Sequence, residues 1–174
     1  MSAGKGFSIA GGVLILIATY LLSWYSLDIA GITYYAYGVN GLGGLANMFV
    51  HPEAYGGAVG MEPAVTYVFA GLFIWFLVSG VLALIGAKVR GFSFAGATMP
   101  IIIGTVIILA PFGGPTTLIM EYITAFEGPV FLVHNIIPFT IELESFQLSI
   151  GTYVLILGGF FTLLSGFMKR KKKE

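Results

Sequence analysis

Apolar and polar positions fall along this chain in long blocks. No charge interrupts Gly6–Leu27, Ala64–Ala87, Gly91–Phe112 or Ser145–Met168, and the third block stops before a Gly113-Gly114-Pro115 breaker. Each block is long enough to cross a hydrocarbon core of about 30 Å at about 1.5 Å per residue. In lipid a segment must satisfy its own backbone, and for so few segments helices are the structure that does so. The pattern predicts an all-α membrane protein of four transmembrane helices, one membrane domain over residues 1–174.

The blocks also echo one another. KGFSIAG at 5–11 returns as RGFSFAG at 90–96, TYV at 66–68 returns at 152–154, and Ser79-Gly80 returns as Ser165-Gly166. The offset is about 85 residues, which reads as a tandem duplication with one two-span repeat at 5–88 and a second at 90–173. Two hairpins in the same orientation would be parallel repeats about a pseudo-two-fold axis along the membrane normal.

Composition strengthens the membrane reading. Hydrophobic residues make up 57% of the chain, charged residues 9%, and the mean hydropathy is +0.96. Soluble domains carry roughly a quarter charged residues, so a water-facing surface cannot be built from this set. The cysteine count of 0 excludes disulfides, thiolate metal sites and cysteine nucleophiles.

The net charge of zero conceals a sorting by side. Lys5, Lys88, Arg90 and the run Lys169, Arg170, Lys171, Lys172, Lys173 flank one set of span ends. Asp28, Glu53, Glu62, Glu121, Glu127, Glu142 and Glu144 flank the other, and Glu174 alone breaks the pattern. Basic flanks mark the cytoplasmic side. The expectation is an integral plasma-membrane protein with both termini cytoplasmic and loops 29–63 and 113–148 external. The first block follows a lysine as a signal peptide would, but it is long and lacks a small-x-small cleavage site, so it reads as a retained span. The basic run reads as a lipid anchor on anionic headgroups rather than a nucleic-acid patch. Tyrosines and Trp24 cluster toward the outer ends, where amphipathic rings favour the headgroup level. Trp75, mid-span, is expected to pack within the bundle.

Small residues recur at spacings of four or eight and are candidate helix-packing positions: Ser79 and Ala83, Gly96 and, eight on, Gly104, and Gly158, Thr162 and Gly166. Such stripes let helix backbones approach closely where lipid offers no hydrophobic drive to association. Pro100 predicts a kink in the third span that the first, with Ile15 at the matching place, lacks.

The outer loops do not read as plain linkers. FTIELE at 139–144 alternates apolar and acidic residues as a half-exposed strand does, and 29–39 is rich in β-formers. TTLIMEYITAFE at 116–127 fits a short interfacial helix, and GVNGLGG at 38–44 reads as turns. An outer cap containing some β-structure follows. Four spans, two outer loops and cytoplasmic termini resemble the claudin-type tetraspan layout in topology, with Trp24 at the outer end of span one in keeping with it. The loop cysteine pair of that family has no counterpart in this cysteine-free chain, and no residue role is carried over.

Groups that could do chemistry are few. His51 in MFVHP and His134 in FLVHN occupy matching places in the two outer loops. With Glu53 and Glu127 they could form a mixed nitrogen–oxygen metal site, or they could serve as axial haem ligands. Nothing else completes such a site, so no cofactor is expected. No acid, base or histidine lies inside a span, although proton relays and ion-coupled carriers usually place charge at membrane depth. No serine–histidine–carboxylate spacing suggests a hydrolase. The reading is a non-catalytic membrane protein, not an enzyme. It would act as an accessory or scaffold subunit or a self-associating tetraspan, with the bilayer, itself or other membrane subunits as partners and no nucleic acid. The alternative is a small pore or carrier along the pseudo-two-fold axis, lined by hydroxyls. Behind it stands an outer-face metal or haem site at His51 and His134.

Overall fold

The computed structural model describes residues 2–29, 32–36, 41–54, 62–113, 140–143 and 146–168. Four helices are long and apolar enough to cross a membrane: α1 (Ala3–Tyr20), α3 (Pro63–Gly86), α4 (Arg90–Leu109, extended by a 3-10 turn to Phe112) and α5 (Ile150–Phe167). They form a ring in which α1 packs on α3, α3 on α4, α4 on α5 and α5 back on α1. The diagonal pairs α1/α4 and α3/α5 scarcely meet.

Above one end of the ring lies a four-stranded antiparallel sheet in the order β2-β1-β4-β3. Strands β1 (Tyr25–Ile29) and β2 (Ile32–Ala36) come from the first loop, and β3 (Thr140–Leu143) and β4 (Phe146–Ser149) from the second. The central pairing, Tyr25 opposite Leu148 and Leu27 opposite Phe146, joins the two loops into one body. The alternation at 139–144 thus forms a strand. The β-rich segment at 29–39 forms only the later part of a hairpin that begins at Tyr25.

Spans one and four are shorter than their charge-free blocks. α1 ends at Tyr20 rather than Leu27, and α5 begins at Ile150 rather than Ser145. The residues given up are the paired strands β1 and β4 and the turn before β1. The positions given up, 21–27 and 145–149, carry no charge, and Trp24, Tyr25 and Leu148 among them are buried, a burial that hydropathy does not distinguish from burial in lipid. At 18 residues each, α1 and α5 are about 27 Å long, against about 36 Å for the 24 residues of α3.

Two further expectations are corrected. The glycine-rich 38–44 segment is not all turn, since α2 (Gly41–Val50) starts within it. Each helical glycine costs about 1 kcal/mol relative to alanine, so the helix owes its existence to packing: Met48 is fully buried and the Phe49 ring lies 6.0 Å from that of Tyr67 on α3. The burial of the two tryptophans also differs from what their positions suggest. Trp24 is in the core, whereas Trp75 is 36% exposed on the outside of the ring, with Nε1 donating to the Ala95 carbonyl at 3.0 Å. The segment 116–127 and the basic run 169–173 lie outside the described residues.

Candidate functional site

The small residues singled out above lie between the helices, some against a neighbouring backbone and some against a side chain. A Cβ on Gly96 would sit 2.5 Å from the Ala83 nitrogen and 2.7 Å from the Ser79 carbonyl oxygen, so these three positions make the α3/α4 contact. Gly158 and Thr162 of α5 face Gly11 of α1, where a Cβ on Gly158 would be 3.0 Å from the Gly11 carbonyl oxygen. Gly104 receives the Ile156 side chain, and Gly166 receives the Phe94 ring. These stripes are therefore occupied within one chain. The sequence reading missed the facing positions on α1: Gly11 opposite Gly158 and Thr162, and Gly4, Ser8 and Gly12, at four-residue spacing, against Ser165, Ala83 and Gly80. Pro100 is buried within α4, which continues through it.

At the end of the bundle remote from the sheet, three fully buried serines from three helices meet. Ser8 Oγ donates to the Ala83 carbonyl at 2.6 Å and lies 3.2 Å from Ser93 Oγ. Ser93 Oγ is 3.2 Å from the Gly86 carbonyl oxygen and 3.4 Å from Ser165 Oγ, which donates to the Gly4 carbonyl at 2.6 Å. Ser8 and Ser93 are the fourth residues of the two echoed heptapeptides, so the echo marks the place where α1 and α4 meet across the diagonal. Beside it Arg90 donates from Nε and one terminal nitrogen to the Gly166 carbonyl at 2.9 and 2.5 Å, satisfying one of the last carbonyls of α5. The echo does not extend to the other contacts. Gly12 lies against Gly80, but its counterpart Ala97 lies against Gly159, seven residues and about two turns from Gly166.

At the opposite end Trp24 joins sheet to bundle. Its backbone N–H donates to the Ala36 carbonyl, and its carbonyl accepts from Ser149 N at 2.8 Å and Thr152 Oγ1 at 2.6 Å. Its ring enters the bundle edge-on to Phe76 at 5.2 Å. Nε1 donates to the Ala18 carbonyl at 2.8 Å, because the Leu22 N–H has turned aside to Ile17. Ile15, Phe76, Ile107 and Leu155 are fully buried, and so are the hydroxyls of Thr19, Ser23 and Ser79.

Of the candidate histidine site, only His51 and Glu53 lie among the described residues. His51 follows α2 and is exposed, with Nδ1 3.9 Å from Glu53 Oε1, an exposed pair of the kind that contributes little to stability. His134 and Glu127 lie outside the described residues. Among the described residues no three histidine, aspartate or glutamate side chains come together as a metal site would require. Comparison of the chain with protein-family models, with curated proteins and with solved structures finds no match in any of the three.

Proposed function

We propose that this is a non-catalytic plasma-membrane protein that works by association, as an accessory or scaffold subunit or as a self-associating tetraspan. The observation that carries this reading is the cap: two separate loops are knitted into one sheet and fixed to the bundle through Trp24. Such a construction holds a preformed surface, which lowers the ordering cost of binding another protein. The small-residue faces pack within the chain, so association would use the cap and the outward faces of the helices. The large buried side chains Ile15, Phe76, Ile107 and Leu155 count against the alternative of a pore along the axis.

The test is affinity purification of the full chain from its own membranes in mild detergent. A second membrane protein in fixed ratio, or further copies of the chain, is the expected result, and Trp24→Ala should reduce it. Replacing His51 and His134 together by alanine should leave it unchanged. A partner-free monomer that passes solutes in liposomes would put the carrier reading in its place, and loss of a bound metal on the histidine double substitution would favour the outer-face site.

The charge sorting supports cytoplasmic termini, with the sheet outside the cell. The matched KGFSIAG and RGFSFAG supports two parallel hairpins as the ancestral plan, later made unlike by loops that place one strand hairpin after α1 and the other before α5. Because the chain has no cysteine of its own, Glu142→Cys in β3 gives a single label site. An impermeant thiol reagent should modify it in intact cells. Modification only after the membrane is opened would reverse the topology.

A further inference from the structure

Helix α2 lies outside the four spans, yet it carries no charged residue, and it ends in a large apolar patch. Phe49 is 48% and Val50 67% exposed, and beside them on α3 Tyr67 is 46% and Val68 60% exposed. α2 is fixed at this level twice. The Phe49 ring lies tilted 6.0 Å from that of Tyr67, and the buried Thr66 Oγ1 donates to the Pro52 carbonyl at 3.3 Å, just beyond the helix. Immediately past the patch the surface becomes polar, with His51 and Glu53 exposed.

The level of this patch in a bilayer can be counted. Ser8, Ser93 and the Gly86 carbonyl meet in one cluster, which places Lys5 and Arg90, three residues further down α1 and α4, at a common height. Charged side chains at that height mark one edge of the hydrocarbon. About 30 Å from there, at about 1.5 Å per residue, the opposite edge falls near Phe69 on α3 and near Leu109 at the end of α4. Tyr67 and Val68 are therefore at the far boundary, and Phe49 and Val50 sit alongside them.

We propose that α2 is an in-plane helix seated in the cap-side leaflet, with Phe49 and Val50 inserted at the junction of headgroups and acyl chains. The occupant of the patch is lipid, because the patch is continuous with the apolar face that α3 turns outward through Leu72 and Trp75. Exposed aromatic and aliphatic residues on an uncharged helix beside a polar edge are suited to that layer. The cap would then rest on the membrane along one side as well as being carried by the bundle. This inference requires the bundle to lie in a bilayer, and it is independent of whether the protein associates with others.

The test places a nitroxide at Val50→Cys in the full chain reconstituted in phosphatidylcholine vesicles, with Tyr67→Cys and Glu53→Cys as references. The label at Val50 should resemble that at Tyr67, with a several-fold higher ratio of oxygen to nickel-chelate accessibility than at Glu53. If Val50→Cys does not reconstitute, Phe49→Cys reports on the same patch. Nickel accessibility equal to that at Glu53 would show that the patch faces water and would overturn the proposal. Spin–spin broadening that disappears on dilution with unlabelled protein would also overturn it, by showing that a second copy covers the patch.

Discussion

Replacing Trp24 with alanine is expected to cost about 3–5 kcal/mol of stability, the range for removing a large aromatic side chain from a packed core. Two losses combine. The indole leaves a cavity against Phe76 at the top of the bundle, and Ala18 loses the N–H that replaces its missing helical donor. The Trp24 backbone also holds β2, β4 and the first turn of α5, so movement there should reach both sheet and bundle. Unfolding by SDS titration in mixed micelles would measure the cost. Single-cysteine accessibility in β1 and β4 would show whether the strands separate. Trp24→Phe keeps most of the volume but leaves the buried Ala18 carbonyl without a donor, so it should cost about 1–3 kcal/mol, the penalty for an unsatisfied buried acceptor. Equal effects from the two substitutions would mean that the hydrogen bond, not the packing, fixes the cap. A loss below about 1 kcal/mol for alanine would remove Trp24 from its assigned place, because core truncations of this size cost more.

The second large effect is expected at Gly96. A Cβ there points at the Ala83 nitrogen and the Ser79 carbonyl, which are backbone atoms and cannot move aside by changing rotamer. Gly96→Leu must therefore part α3 from α4, breaking the approach that lets these helices pack without a hydrophobic drive. Overpacking typically costs about 1–3 kcal/mol, and a leucine between two backbones belongs at or above the upper end. Gly71 provides the control within α3, since nothing lies within 4 Å of a Cβ placed on it. Gly71→Ala should be neutral or stabilising by up to about 1 kcal/mol through helix propensity alone. Thermal unfolding of both variants in the same detergent separates the two causes. Should Gly96→Leu match wild type, the α3/α4 contact is not the close one described. Since these faces lie inside a single chain, Gly158→Leu and Gly166→Leu should likewise act on the monomer before they act on any assembly.

Much of the architecture is legible in residue order because lipid imposes a one-dimensional rule. A helix that crosses hydrocarbon must be long, apolar and free of charge, and α3 and α4 match their charge-free blocks to within a residue or two at each helix end. Small-residue spacing is also local information, so Ser79, Ala83, Gly96, Gly104, Gly158, Thr162 and Gly166 could be read before their partners were known. The tertiary structure decided the rest. It ended α1 at Tyr20 and delayed α5 to Ile150, because the apolar residues beyond those points pair with one another across more than a hundred residues of chain. It drew Trp24 into the core and turned Trp75 outward, since a side chain's depth depends on which neighbours surround it and not on hydropathy alone. It made α2 a helix against the preference of its glycines, through the buried Met48 and the contact with Tyr67. The sheet and the serine cluster draw on residues from both halves of the chain, so neither could be read from a local window.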